Sequence, residues 1–283
     1  ETILSREYKF AFPKNFTGKA ASHQIDCRRT TPSKLKAAIV REKGTNGDRE
    51  LAFALHAAGF EVKDVTMSDL NSGRENLAEV RFIGFPGGFS NSDVLGSARG
   101  WAGAFRSNPQ AFAALTQFFK RPDTLSIGVC NGCQLVVALE LLYPQHQQQA
   151  RMAHNESGRF ESIFTSVVVE ETKSILMQPL IGSRLGVWVA HGEGRFVLPE
   201  GRSAYDIPLR FASSEFPENP NGSQYDAAAI CSTDGRHLAI MPHLERSLFP
   251  WNWAHYPRER QDEVSPWMLA FAAARDWIAE RAA

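Results

Sequence analysis

The run Leu125-Ser126-Ile127-Gly128-Val129-Cys130-Asn131-Gly132-Cys133-Gln134 constrains this chain more than any other stretch. An apolar, strand-like segment ends at Cys130, with glycine two residues before it and two after it. A helical spacing of Leu135, Val136, Leu139 and Leu142 follows at once. Together these read as a sharp strand-to-helix turn, which lifts a reactive side chain above the edge of a sheet. Such a turn brings backbones too close for side chains, and its central residue takes a strained conformation. The helix that follows directs its free N–H groups and dipole at the sulfur, which favours thiolate, the reactive form.

Other readings of Cys130 compete. A lone cysteine is usually a small core residue, but the flanking glycines have no purpose there. Cys130 and Cys133 also form C-x-x-C, the spacing of redox and zinc motifs. Zinc would need a second ligand pair, and Cys27 and Cys231 stand alone in the sequence. A dithiol remains open on these residues, although redox chemistry gives no reason for Gly128.

The alternation of elements sets the fold class. Lys36 to Val40 reads as a strand, Asp48 to Ala58 as a helix with Leu51, Ala54, Leu55 and Ala58 on one face, and Gly59 as its stop. Phe60 to Val65 and Val80 to Phe85 read as strands, Pro109 to Phe119 as a helix, and Leu125 to Val129 as the strand before the turn. Strand and helix alternating at this spacing predict an α/β flavodoxin-like open sheet, mostly parallel, with helices on both faces. The second half is richer in strand: Ser166 to Val169, Gly186 to Ala190, Leu209 to Ala212, Ala227 to Cys231 and Leu238 to Ile240. Asn221-Gly222 and Asp234-Gly235 read as hairpin signals between them, and Trp267 to Ile278 as a closing helix. Residues 1–34 read as a lead-in segment and linker, with a short strand at Tyr8, Phe10 and Phe12 that Pro13 ends; the main domain is 35–283.

Composition narrows the class of function. The net charge is zero, so no field for nucleic acid is implied. Hydrophobic residues at 43% and charged residues at 22% suit a soluble globular protein, and no apolar run is long enough to span a membrane. Four irregularly spaced cysteines suit a reducing, cytoplasmic setting. The missing initial Met and the absence of a signal-peptide core suggest a piece of a longer chain.

A cysteine nucleophile needs a base, and the base needs an orienting group. Among eight histidines, His243 in Met241-Pro242-His243-Leu244-Glu245-Arg246 is the best placed, following the last strand with Glu245 two residues on. His191, in Ala190-His191-Gly192-Glu193-Gly194, is the rival; the other six read as surface or packing residues. Ligands of open α/β sheets bind beyond the carboxyl ends of the strands, so Pro86-Gly87-Gly88-Phe89 should converge on Cys130. Its exposed amides, with that of Asn131, could hold an oxyanion.

These residues resemble the class I (triad) glutamine amidotransferases. Gly128 to Gln134 and Met241 to Arg246 carry the likeness. It is supported by Arg41 to Glu50, Gly87 to Ser90, Asp93 to Gly96, Asn155 to Glu161, Ala190 to Gly194 and Asn219 to Ser223, in family order. The likeness is greatest to the branch whose glutaminase domain feeds ammonia to a synthetase of purine biosynthesis. It implies that Cys130 attacks the side-chain amide of L-glutamine, releasing ammonia and leaving a glutamyl thioester that water hydrolyses. His243 would carry protons and Glu245 orient it. The oxyanion donors would come from Gly87, Gly88, Phe89 and Asn131. Gln134 and the loop holding Asn155, Ser157 and Phe160 would bind the α-amino and α-carboxylate groups, with His191 and Glu193 close by. The partner would be a synthetase module of the same longer chain, converting formylglycinamide ribonucleotide to the amidine. ATP and magnesium would belong to that module, leaving this chain without metal or cofactor. Three places depart from the family: Asn91-Ser92 replaces Tyr-Gly, Ser97-Ala98-Arg99 replaces a small-plus-acidic stretch, and Leu244 replaces a proline. Leu244 frees the backbone between His243 and Glu245, so a looser triad is expected. A cysteine hydrolase or peptidase of similar fold, or a silent docking domain, are the competing readings.

Overall fold

A computed structural model describes residues 8–282. The chain runs β1 (Lys36–Arg41), α1 (Asp48–Ala58), β2 (Glu61–Thr66), α2 (Met67–Asn71), β3 (Phe82–Phe85), α3 (Arg99–Arg106), α4 (Pro109–Lys120), β4 (Leu125–Val129) and α5 (Asn131–Ala138). It continues with β5 (Arg151–Ala153), β6 (Glu161–Val169), β7 (Arg184–His191), β8 (Arg195–Val197), β9 (Asp206–Phe211), β10 (Ala227–Cys231), β11 (His237–Ile240) and α6 (Met268–Ala282).

Local chemistry explains several boundaries. Asp48 and Glu50 occupy the first turn of α1, where the helix dipole favours them, and Gly59 closes it with a left-handed φ of 111°. Asn108 caps α4 by accepting from the Ala111 amide, with Pro109 in the first turn. β3 and β4 are buried throughout, as central parallel strands with helices over both faces must be.

A nine-stranded sheet has the order β2-β1-β3-β4-β11-β10-β9-β6-β7, and β5 pairs β8 separately. The strands from β2 to β11 in this order run parallel, in the flavodoxin-like arrangement. Those from β10 to β7 are antiparallel. The antiparallel half curls back on itself: the His243 amide, just past β11, donates to the Trp188 carbonyl of β7 at 2.8 Å. α1 packs with α6, and α3, α4 and α5 pack together. No helix among the described residues is long and apolar enough to cross a membrane.

The structure corrects several expectations. The strand at Tyr8 to Phe12 is a single bridge, Ala11 to Arg184; the aromatic side chains pack instead against Phe164 and Trp253. Residues 1–7 of the lead-in segment lie outside the described residues. The rest is not a loose linker. Phe16 and Ile25 are buried, the Asp26 amide donates to the Ala57 carbonyl at 2.9 Å, and Arg275 of α6 donates to the Gln24 carbonyl at 2.7 Å. Asp234-Gly235 does join β10 to β11, but Asn221-Gly222 forms no tight hairpin: Asn221 is wholly buried within a long β9–β10 connection.

Candidate active site

β4 delivers Cys130 to the carboxyl edge of the sheet, and α5 begins at the next residue. Cys130 has φ 50° and ψ −104°, a strained conformation for a residue with a side chain. The Cys130 amide donates to the Ile240 carbonyl of β11 at 2.8 Å, and its carbonyl accepts from the Gln134 amide at 3.0 Å. The flanking glycines are steric requirements. A Cβ on Gly128 would lie 2.5 Å from the Gly132 carbonyl oxygen, and one on Gly132 would fall on the Phe85 carbonyl. Cys133 is fully buried; burial first, and then the charge of Cys130, push its thiol well above its ordinary range. All four cysteines are free.

Because β11 lies parallel beside β4, the segment after it emerges at the same edge. His243 Nδ1 meets Glu245 Oε1 at 2.6 Å, with both side chains shut off from solvent. Leu244 does not loosen this pair. Its side chain is wholly buried and anchors the short 3-10 turn Leu244–Arg246 in the core. Burial alone would lower the pKa of His243. The negative charge of Glu245, and then of Cys130, more than reverses this and raises it to about 10. Nε2 of His243 is buried without a partner in hydrogen-bonding geometry. The Cys130 sulfur lies 3.5 Å from the Ala190 carbonyl oxygen. Gly87 stands beside both groups: a Cβ there would lie 2.8 Å from His243 Cε1 and 3.4 Å from Cys130 Cβ.

The loop after β3 is pinned to the loop after β1. The Asn46 and Gly47 amides donate to the Gly87 carbonyl at 3.0 and 3.2 Å, and the Phe89 amide donates to the Gly44 carbonyl at 2.8 Å. Phe89 therefore has no amide to offer an oxyanion, contrary to expectation. The Gly88 and Asn131 amides meet no acceptor among the described residues, Asn131 because it opens α5. Gly88, at φ 137°, approaches the neighbouring loop so closely that a Cβ would lie 2.5 Å from Thr45 Cα.

A cavity of about 200 Å³ opens beside Cys130, lined by Gly88, Phe89, Asp93, Gln134, Phe160, His191 and Glu193 among others. A larger cleft of about 680 Å³ near Tyr8 and Arg258 contains none of these residues. Phe89 and Phe160 both line the smaller cavity, their ring centroids 6.0 Å apart. Three polar residues expected to bind a ligand make internal hydrogen bonds. Gln134 donates to the Glu193 carbonyl at 2.8 Å and accepts from Asn131 at 3.0 Å. Asn155 uses its whole amide, donating to the His191 and Arg159 carbonyls and accepting from the Gly194 amide. Ser157 lies outside the cavity and donates to Glu161 at 2.6 Å.

His191 does reach the cavity. Burial, and then the charge of His243, lower its pKa to about 3, so it is neutral. Its Nε2 lies 3.1 Å from Asn221 Nδ2, a donor, which leaves the ring proton on Nδ1. Sequence reasoning missed this role of Asn221 because its Asn-Gly pair read as a turn. It also passed over Asp93 as a cavity residue, since nothing in the local pattern says which way the loop turns.

Cys130, His243 and Glu245 thus meet at the carboxyl edge of a flavodoxin-like sheet, in the arrangement that a nucleophile, a base and its orienting group would need. Residues 34–278 match the CobB/CobQ-like glutamine amidotransferase domain, and the chain belongs to that family. It is 47% identical over 266 residues to "Probable phosphoribosylformylglycinamidine synthase, chloroplastic/mitochondrial" of Arabidopsis thaliana, covering 87% of this chain and 19% of that protein. It is 45% identical over 272 residues to phosphoribosylformylglycinamidine synthase of Homo sapiens, covering 87% of this chain and 20% of that protein. The chain thus spans about a fifth of the length of these relatives. Among solved structures, the PurLQS structure from Thermotoga maritima shares the fold, with a TM-score of 0.64 at 23% identity, covering 88% of this chain and 100% of that one.

Proposed function

We propose that this chain hydrolyses L-glutamine with Cys130, His243 and Glu245. The ammonia would be used within a longer protein to convert formylglycinamide ribonucleotide to the amidine. The observation that carries this reading is the left-handed Cys130 at the start of α5, beside a His243 whose Nδ1 lies 2.6 Å from Glu245. The Cys130 thiolate adds to the side-chain carbonyl carbon, and the oxygen takes the negative charge. The Gly88 and Asn131 amides, which meet no acceptor among the described residues, would receive that charge. His243 gives its Nε2 proton to the leaving nitrogen, and ammonia departs from a glutamyl thioester. Water then attacks the thioester and His243 takes the proton. The intermediate collapses to glutamate and releases the sulfur. Glu245 holds the Nδ1 proton in place throughout.

ATP and magnesium are assigned to the synthetase part of such a longer protein, in the cytoplasm, and no cofactor or metal to this domain. The test is ammonia release from glutamine by the intact protein. Cys130→Ala should lose activity by about a thousandfold or more, while Cys133→Ala keeps most of it. Equal loss in both variants would overturn the mechanism in favour of a dithiol.

A further inference from the structure

We propose that Arg246 is a positioning residue, which keeps the imidazole of His243 in register with the loop carrying Gly87 by bracing Glu245 against Asn46. This rests on the glutaminase reading above and adds a residue to its machinery. A ring of contacts closes around the base. His243 Nδ1 meets Glu245 Oε1 at 2.6 Å, and Arg246 Nε stands 3.8 Å from that same oxygen. Arg246 Nη2 donates to Asn46 Oδ1 at 3.3 Å, and the Asn46 amide donates to the Gly87 carbonyl at 3.0 Å. Gly87 completes the ring, packed so closely on the imidazole that a Cβ would lie 2.8 Å from His243 Cε1. The loops after β1, β3 and β11 are thereby joined through one guanidinium.

Glu245 depends on this brace. Its Oε2 is buried without a hydrogen-bond partner. Among the described residues, His243 and Arg246 are the only side chains within ion-pair distance of it. A buried carboxylate is costly unless nearby charge compensates it, and Arg246 adds a second cation to that of a protonated His243. Glu50 of α1, 3.9 Å from Arg246 Nε, gives the guanidinium a further anchor, and a planar fork suits several acceptors at once. Arg246 is out of reach of a substrate beside Cys130. It lines a separate cleft of about 480 Å³ with Arg49, Glu50, Phe53 and Trp251 among others, which shares no residue with the cavity at Cys130. Its effect must pass through Glu245 and Asn46, and so fall on turnover rather than on binding.

The test measures ammonia release from L-glutamine by the intact protein as wild type, R246M, N46A, the double variant and R49A. R246M should lower kcat by about tenfold to a hundredfold, with KM within about threefold of wild type. N46A should lower kcat in the same way and by less. The double variant should be no slower than R246M, because both changes open the same ring. R49A, in the same cleft but outside the ring, should keep its kcat. Unchanged turnover in R246M, a loss carried by KM, losses that multiply in the double variant, or an equal loss in R49A would each overturn the proposal. The Arg246 side chain is 32% exposed and Asn46 is exposed, so neither change empties the core. Should R246M nevertheless fail to fold, N46A carries the test alone, since the backbone ties of its loop remain, and wild-type turnover in it would overturn the proposal. If the wild type releases no ammonia, the glutaminase reading itself falls, and that outcome is distinguishable because it needs no variant.

Discussion

At the scale of single residues, the site is a set of groups with almost no spare room. Gly87 shows this most directly, since a methyl there would lie 2.8 Å from the His243 ring. Gly87→Ala should lower kcat/KM for glutamine by about a hundredfold, because small misplacements of a reacting group are costly, while melting within a few degrees of wild type. Unchanged turnover would mean that His243 tolerates displacement. Cys130 and His243 are legible in the sequence because strained turns and strand ends leave a local signature of glycines and apolar runs. Gln134, Asn155 and Ser157 are not legible in the same way. A polar residue near a site reads as a ligand contact until its partners are counted. Asn155 turns out to have spent its whole amide on three backbone groups from Arg159, His191 and Gly194. Asp93 faces the cavity only because three left-handed residues in succession turn it there, and no local pattern announces them.

At the scale of elements, the turn between β4 and α5 depends on backbone contacts that cannot rotate away. Gly128→Ala would set a Cβ 2.5 Å from the Gly132 carbonyl, and Gly132→Ala would collide with the Phe85 carbonyl. Each should destabilise the fold by about 1–3 kcal/mol or more, read as a lower urea midpoint. Gly103→Ala in α3 is the contrast. Nothing lies within 4 Å of its Cβ, so it should stabilise by about 0.5–1 kcal/mol. Equal effects at all three positions would refute the steric account. Long, well-signalled elements such as α1 and β4 can be read to the residue. α2, α3, β5 and β8 cannot. α3 follows the left-handed Ala98 without a capping side chain, so it lacks a start signal. β5 and β8 are three residues each, too short for any period to register.

At the scale of the whole molecule, buried histidines set the pH range of stability. His191 and His237 have folded pKa values of about 3, lowered chiefly by burial from an ordinary 6.5. They bind protons in the unfolded chain before they do so in the folded one. Their contribution is therefore complete above pH 6.5 and is lost as pH falls toward 3. His243 has the opposite sign: raised to about 10, it stabilises fully below 6.5 and loses that effect as pH climbs through 10. Urea midpoints should accordingly fall on acidification from pH 7 toward 4, and His237→Gln should flatten that fall. An acid limb of equal slope in the variant would show that other groups govern it. The sheet order has a consequence in time rather than space. Ser126 of β4 and His237 of β11 are neighbours in the sheet but 111 positions apart in the chain. A ribosome therefore finishes the thiol long before the imidazole that would arm it, and β11 must be inserted into the middle of the sheet before the two meet. On the proposed mechanism, half-made chains would carry an unarmed cysteine, and ammonia production would wait for β11 without any separate lock.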